Sequence, residues 1–216
     1  MIERTTGLVL RTYPLTETSL IVHWLTRDAG RLGTVAKGAR RPKSPFRGKL
    51  DLFYLCEFTF QRSRSSDLHA LREVSLQDTH EVLRRELTYL QQAAYATRLI
   101  EQVTETQTPV PGLFELLAGF LAHLPLQPPR PQPVLAFELK LLRELGLQPD
   151  WANIKFSAAT PALLRQLTEV DWPALPALSF SKEQLTETRQ FLHGFLVFHL
   201  GKIVRGRSEA LVSIGE

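Results

Sequence analysis

The chain has 216 residues, of which 44% are hydrophobic, and a formal net charge of +4. This length predicts one or two domains with hydrophobic cores, and no apolar run reaches the roughly 18 residues that a membrane span requires. The single cysteine, Cys56, excludes an intrachain disulfide and a zinc site built from cysteines.

The first 79 residues have the pattern of short strands joined by turns. Apolar and β-branched residues are concentrated in the segments 7–13, 19–26, 31–39, 49–62 and 68–78. Asp28 and Gly30 supply the turn of a hairpin between the second and third segments. Five strands in so short a stretch predict a small barrel, and the OB-fold is the five-stranded barrel that binds oligonucleotides. A small sandwich is the alternative. Cys56, in the apolar fourth segment, is predicted to be a core residue.

From Asp78 onward the apolar residues recur at helical spacing. The predicted helices cover residues 78–105, 113–124, 134–146, 160–170 and 181–201. Thr79 is the predicted N-cap of the first helix and Gly146 the predicted C-cap of the third. The sequence therefore predicts an α+β protein, with a five-stranded OB-fold barrel over residues 1–79 and an all-α domain over residues 80–216.

Motifs of enzymes are missing from the sequence. It contains no P-loop, no G-x-G-x-x-G after a strand and no G-x-S-x-G elbow. The stretch HEVLR begins like a zinc-protease motif but has Arg84 where the second histidine belongs. His193 and His199 are six residues apart, so they do not share a helix face. These absences favour a binding protein over an enzyme, without a metal or other cofactor.

The positive charge belongs to the first third of the chain. Residues 1–79 contain 13 Lys and Arg against 8 Asp and Glu, a net charge of +5, whereas the remaining residues have a net charge of −1. Between residues 31 and 49 there are seven cations and no acidic residue; they are Arg31, Lys37, Arg40, Arg41, Lys43, Arg47 and Lys49. Glycines and prolines among them exclude a basic helix and predict a loop at 40–48. Such a segment predicts a polyanionic partner, and a solvated surface loop is the alternative.

Aromatic residues are interleaved with these cations. Phe46 lies among them, and Tyr13, Trp24 and Phe53 are nearby in sequence. Aromatic rings beside a charged groove suit the stacking of nucleic-acid bases. The alternative for these residues, above all for Trp24 and Phe53, is the barrel core. Two further cations, Arg62 and Arg64, lie on the turn after the fourth strand and are predicted to extend the same DNA-binding surface.

Three stretches of the chain resemble a known family. The first is ETSLIVHWLTRDAGRLGTVAKGARRPKSPFRGKLDLF, residues 17–53, and the looser two are FELKLLRELG, residues 137–146, and FHLGKIVRGRSEAL, residues 198–211. Together they resemble RecO, the bacterial recombination mediator. The resemblance implies an OB-fold followed by a helical domain, binding of single- and double-stranded DNA, and annealing of complementary strands. It also implies that the protein acts with RecR and the single-stranded DNA-binding protein to load RecA, and that it is not an enzyme. The expected location is the cytoplasm, at the nucleoid.

The sequence departs from this family in one respect. Many members carry a four-cysteine zinc segment after the helix that ends in LG, but residues 147–159 contain no cysteine. We therefore expect no zinc, with packing by Trp151 and Phe156 in its place.

The family binds the acidic tail of the single-stranded DNA-binding protein on its helical domain. Possible contacts in this sequence are Lys140, Arg143, Lys202, Arg205 and Arg207. For the last three, the alternative is that they only complement the dipole at the end of the last helix. Two other functions remain open from the sequence: an RNA-binding OB-fold protein of RNA metabolism, and a scaffold whose barrel binds only protein.

Overall fold

The computed structural model describes residues 1–151, 154, 156 and 160–212. Its five strands are β1 (Ile2–Pro14), β2 (Leu20–Thr26), β3 (Gly30–Ala36), β4 (Leu55–Gln61) and β5 (Leu68–Asp78). They close into a barrel in the order β1-β2-β3-β5-β4. The pair β3–β5 is parallel, and the other four pairs are antiparallel. The prediction of a five-stranded barrel is confirmed, and the sandwich alternative is wrong.

The barrel interior is filled by aromatic and aliphatic side chains. Trp24 and Phe58 stack with ring centroids 4.1 Å apart, and both are fully buried. The indole N–H of Trp24 donates a hydrogen bond of 2.8 Å to Thr34, which satisfies the polar atom of this large side chain. Cys56 is buried in the same core, as predicted, and burial raises the pKa of its thiol to about 12. This cysteine is therefore an inert packing residue.

The strand bounds differ most from the prediction at two places. β1 begins at Ile2 rather than at residue 7, and β4 begins at Leu55 rather than at Lys49. The second difference has a local cause, because Phe53 adopts a φ of 68°, which interrupts extended backbone. Phe53 nevertheless is a buried residue, as its core interpretation predicted, and its N–H donates to the carbonyl of Val9 at 2.9 Å.

Six α-helices follow in the described part of the chain. They are α1 (Leu87–Val103), α2 (Pro111–His123), α3 (Gln132–Glu144), α4 (Thr160–Glu169), α5 (Lys182–Leu200) and α6 (Arg207–Ala210). Short 3₁₀ helices cover Glu81–Arg84, Leu124–Leu126 and Trp172–Ala177. The prediction of a helical region after the barrel is confirmed. None of the helices in the described ranges is long and apolar enough to cross a membrane.

The predicted start of the first helix is wrong. The carboxylate of Asp78 accepts the N–H of His80 at 2.7 Å, and His80 has a φ of 44°. The Asp78 carboxylate is thus engaged in a local turn next to Thr79, the predicted N-cap. α1 begins only at Leu87. The third helix ends close to the prediction: α3 ends at Glu144 and its C-cap is Leu145. The predicted C-cap, Gly146, is the next residue; it has a φ of 70° and donates to the carbonyl of Arg143 at 2.9 Å.

The chain forms two compact units. The barrel unit contains residues 1–81 together with 100–118, and the helical unit contains residues 82–99 and 119–216. The barrel unit thus includes a segment that the sequence analysis assigned to the helical domain. For the domain boundary between residues 79 and 80, the sequence-based assignment stays a prediction.

The helical unit has a charged network at its centre. Arg207 donates to both carboxylate oxygens of Glu138, at 2.7 and 2.9 Å, and the hydroxyl of Tyr95 donates to the same carboxylate at 2.6 Å. All three side chains are buried. The network joins α1, α3 and α6, because each residue comes from a different one of these helices.

Two aromatic residues of the connection after α3 pack against α5. Trp151 and Phe156 both contact Phe191 of α5, with centroid distances of 6.0 and 5.0 Å. The rest of the predicted connection, residues 152, 153, 155 and 157–159, lies outside the described residues. No group of three or more potential metal ligands occurs in the described part of the chain, and the absence of zinc stays a prediction.

Candidate nucleic-acid interface

Residues 37–49, named here the basic loop, form a series of turns. Each turn is closed by a backbone hydrogen bond between residues three apart. These bonds run from Arg41 to Gly38, from Ser44 to Arg41, from Arg47 to Ser44 and from Lys49 to Phe46, at 3.1–3.2 Å. Glycines Gly38 and Gly48 have φ values of 69° and 70°, which other residues rarely adopt. The loop therefore has a defined backbone that carries its cations.

The cations of the basic loop face the solvent. Lys37, Arg40, Arg41, Lys43 and Arg47 are exposed. Two of them are steadied by neutral acceptors, since Arg40 donates to the carbonyl of Thr16 and Arg47 to that of Pro42, each at 3.1 Å. A carbonyl oxygen orients a guanidinium without cancelling its charge, so these side chains remain able to neutralise phosphates. Lys49 is half-buried, and its ammonium donates to the carbonyl of Val74 at 3.3 Å.

The aromatic residue within the basic loop does not face the solvent. Phe46 is buried and belongs to the barrel core, so the expectation that it stacks with bases is wrong. The turns of the loop bring its ring inward, where apolar burial stabilises the loop on the barrel. Of the aromatic residues considered from the sequence, Tyr13 is the exposed one, with 41% of its surface accessible.

Arg31 lies at the opposite end of β3 from the basic loop, about 20 Å away along the strand at about 3.3 Å per residue. Its guanidinium donates to the carbonyl of Thr104 at 2.9 Å, and its own carbonyl accepts the N–H of Gln107 at 2.7 Å. Arg31 thus attaches residues 100–118 to the barrel, and the structure does not bring it together with the cations of the basic loop.

The two cations after β4 differ from each other. Arg62 forms a bidentate pair with Glu3, at 2.7 and 2.9 Å, and this hydrogen bonding is the main cause that lowers the pKa of Glu3. Arg64 is exposed. The charge of Arg62 is thus largely balanced within the barrel, whereas that of Arg64 is available.

An open groove of about 460 Å³ lies on the barrel next to the basic loop. It is lined by residues from β3, β4, β5 and the three connections after β1, β3 and β4, namely Leu15, Val35, Lys37, Gln61, Arg62, Ser63, Leu68, His69 and Ala70. The groove brings Lys37 and Arg62 together, as two of the predicted DNA contacts. Sequence reasoning missed its apolar lining, although the alternation of residues along β3 and β5 is the signal that identifies it.

His69 is the buried polar residue of this groove. Its Nδ1 accepts the N–H of Ser63 at 3.3 Å, and its ring stacks on Phe60 with centroids 5.4 Å apart. Burial is the main cause that lowers the pKa of His69, followed by the charge of Arg62. Because Nδ1 accepts a hydrogen bond, the neutral ring carries its proton on Nε2, which has no partner among the described residues.

Two of the predicted partner-binding cations of the helical unit are buried rather than exposed. Lys140 is buried, and its ammonium donates to the carbonyls of Thr168 and Val170 at 3.0 and 2.6 Å. It satisfies the carbonyls at the end of α4, which corrects its interpretation as a surface contact. Arg207 is likewise buried in the pair with Glu138, so neither the partner-binding nor the simple helix-dipole interpretation describes it.

Three of these cations remain accessible. Lys202 and Arg205 are exposed, and the side chain of Arg143 is 41% accessible. Arg143 also donates to the carbonyl of Thr168 at 2.9 Å. A partner role for these three stays a prediction.

Comparisons with known proteins agree with this architecture. Residues 1–80 match the family model "Recombination protein O N terminal", and residues 84–154 match "Recombination protein O C terminal". A DNA repair protein RecO from Anaeromyxobacter sp. (strain K) is 37% identical over 144 residues, which are 67% of this chain and 57% of that protein.

Two other relatives extend the comparison. The DNA repair protein RecO of Idiomarina loihiensis is 38% identical over 146 residues, 67% of this chain and 61% of the relative. That of Bacillus pumilus is 33% identical over 150 residues, 69% of this chain and 58% of the relative. The chain thus matches about three fifths of the length of these curated relatives. With both family models matched in order along a barrel and the helices after it, the chain belongs to the RecO family.

Proposed function

We propose that this protein is a DNA-binding recombination mediator in DNA repair, without enzymatic activity. One observation carries the proposal: five exposed cations are fixed on consecutive turns beside a barrel groove, in a stretch without an acidic residue. Phosphate contacts from such a surface bind DNA irrespective of its sequence. Membership of the RecO family and the names of the relatives support DNA as the polyanion.

Annealing of complementary strands is part of this proposal. Two single strands repel each other through their phosphates, and cations that neutralise phosphates lower this repulsion. Contacts to phosphates alone also leave the pairing edges of the bases accessible. The basic loop thus supplies what annealing requires. RecA loading on strands covered by single-stranded DNA-binding protein is proposed with it, and membership of the RecO family supports this part.

Partners are the second part of the proposal, namely RecR and the acidic C-terminal tail of the single-stranded DNA-binding protein. Arg143, Lys202 and Arg205 are the accessible cations of the helical unit among those considered. Titration with a labelled acidic tail peptide is the test, and lack of binding by the intact protein would remove this partner. The compartment proposed for this work is the cytoplasm, at the nucleoid.

The test of DNA binding is its dependence on salt. If about five cations contact phosphates, log K for single strands falls by about 3.5 per decade of salt, since each contact contributes about 0.7. Binding then weakens about a hundredfold between about 50 and 200 mM salt. The variant Arg40→Ala/Arg41→Ala is expected to lower this slope by about 1.4 and to weaken binding to all sequences alike.

A matched control is available in the helical unit. Arg130 and Arg165 are exposed arginines there, and Arg130→Ala/Arg165→Ala removes the same charge without touching the basic loop. Circular dichroism checks folding of both variants. A folded loop variant with the slope of the wild type would show that the loop is only a solvated surface. Competition between DNA and RNA of equal length distinguishes the proposal from an RNA-binding function, and absence of any salt-dependent binding would favour a protein scaffold.

A further inference from the structure

The outward face of the barrel presents two neighbouring rows of side chains across β1, β2, β3 and β5. Paired residues define each row through the strand register. One row is Tyr13, Ile21, Val35 and Ala70, and the other is Arg11, His23, Gly33 and Leu68. Neither row contains an acidic residue. The first row is apolar apart from the hydroxyl of Tyr13, and the second has Gly33 and Leu68 beside Arg11 and His23. Such a face is unlike a solvated sheet surface, where polar side chains alternate with the core.

The apolar part of this face continues into the groove. Val35, Leu68 and Ala70 belong to the two rows and also line the groove, together with Leu15. Gly33 lets the side chain of Leu68 lie across β3, because a Cβ there would come within 2.8 Å of that side chain. Lys37, exposed, borders this apolar surface from the basic loop. The face therefore combines an apolar floor with a cation at its edge.

Tyr13 is fixed at the other edge of the same face. Its hydroxyl accepts a hydrogen bond of 3.1 Å from Arg11, which is itself held by the carboxylate of Glu101 at 2.6 Å. The ring contacts His23 edge-on, with centroids 5.5 Å apart and planes at 69°. The ring is 41% accessible although it is held at two points. A fixed and accessible aromatic ring loses little conformational entropy when a flat ligand stacks on it.

We propose that this face binds unpaired DNA, with a base stacked on Tyr13, and that Tyr13 makes the barrel distinguish single strands from duplex. The inference rests on the proposed function and specifies that this surface binds single-stranded DNA. Unpaired bases expose flat apolar surfaces that match the floor and the ring, while Lys37 neutralises a phosphate at the edge. In a duplex the bases are stacked inside, so only the phosphates reach the protein. The basic loop binds both single strands and duplex, whereas the Tyr13 face binds single strands.

The experiment compares one-residue variants on two ligands. An oligo(dT) strand and a duplex of equal length are titrated against the wild type, Tyr13→Ala, Tyr13→Leu and Tyr13→Phe, with thermal melting as the folding control. Loss of base stacking is expected to weaken oligo(dT) binding about 5- to 150-fold in Tyr13→Ala, while duplex binding stays within about twofold. Tyr13→Leu keeps an apolar side chain without a ring and is expected to show the same loss. Tyr13→Phe keeps the ring and is expected to retain oligo(dT) binding.

Photo-crosslinking supplies a readout that affinity does not. Oligo(dT) with 5-iododeoxyuridine at one position is expected to crosslink to Tyr13, as located by mass spectrometry. Equal losses on both ligands, no loss in either ring-free variant, or crosslinks only to other residues would overturn the inference while leaving DNA binding in place. If the wild type binds neither ligand, the proposed function itself fails, and the two failures are thereby distinguished.

Discussion

The barrel unit and the helical unit use their cations in opposite ways. In the barrel unit, Lys37, Arg41 and Lys43 are exposed on turns, with no charged partner in the described part of the chain. In the helical unit, Arg207 is buried against Glu138, and Lys140 is buried against backbone carbonyls. The two kinds of cation look identical in a sequence, where each is one positive charge.

The difference shows what makes a cation available to a ligand. A buried guanidinium must be paired, because an isolated buried charge is strongly unfavourable. A cation whose partner is a distant part of the same chain is therefore structural, whereas one presented on a turn can be neutralised by an outside anion. Three predictions examine this contrast, beginning with the largest expected effect.

The first prediction concerns the buried pair. Arg207→Leu leaves the carboxylate of Glu138 buried without its cation and is expected to lower the free energy of unfolding by about 3–5 kcal/mol. Arg205→Leu, two residues away on the surface, is expected to change it by less than about 0.5 kcal/mol. Urea unfolding measures both variants.

A double variant separates charge from packing at this site. In Glu138→Leu/Arg207→Leu no unpaired charge remains, so most of the lost stability is expected to return, since apolar replacements of a buried pair are often neutral or stabilising. A loss below about 1 kcal/mol in Arg207→Leu would show that this cation is no more structural than those of the basic loop.

The second prediction concerns pH and the barrel unit. His69 is neutral in the folded state, and its pKa is lowered below its ordinary value of about 6.5. As the pH falls through about 6.5, the unfolded chain binds a proton that the folded chain does not, so stability decreases toward acid pH. The contribution of one such group is at most about 1.4 kcal/mol per pH unit.

The variant His69→Gln isolates this contribution. Unfolding measured between about pH 7 and 5 is expected to show a weaker decrease for the variant than for the wild type. Burial also lowers the pKa of other histidines, such as His123. These residues are present in both proteins, so their contributions to the pH dependence cancel when the two curves are subtracted. Parallel pH curves for the two proteins would contradict the prediction.

The third prediction compares two neighbouring arginines of the barrel. Arg64→Ala removes an exposed cation and is expected to lower the salt slope of single-strand binding by about 0.7. Arg62→Ala removes a cation already paired with Glu3 and is expected to lower the slope by clearly less. Equal salt slopes for the two variants would mean that pairing with Glu3 does not prevent Arg62 from contacting DNA phosphates.

The sequence predicted most of the fold because the decisive signals are local. Alternation of apolar residues located five strands, and helical spacing located the main helices. The errors arise where a local turn overrides the pattern, as at Phe53, whose φ of 68° delays β4, and at Asp78, whose carboxylate forms a turn with His80. Backbone conformations of this kind carry no periodicity, so pattern reasoning does not detect them.

The site was harder to predict because its properties depend on distant residues. Charge density correctly located a loop with exposed cations, but it included Arg31, which binds the carbonyl of Thr104, 73 residues away in the chain. The family resemblance likewise nominated Arg207, whose partner Glu138 is 69 residues away. Phe46 was misplaced for a related reason, since a sequence does not show toward which side a turn directs its ring.

The long separation within the buried pair has a consequence for biosynthesis. Glu138 leaves the peptidyl-transferase centre 69 residues before Arg207, an interval of about 3–14 s at translation rates of about 5–20 residues per second. Until Arg207 has been synthesised, the carboxylate of Glu138 has no cation with which to pair when it is buried. We therefore expect this part of α3 to stay hydrated in the nascent chain, and the core around Glu138 to close after α6 has been made. The barrel, whose strands all precede α1, can already be complete by then.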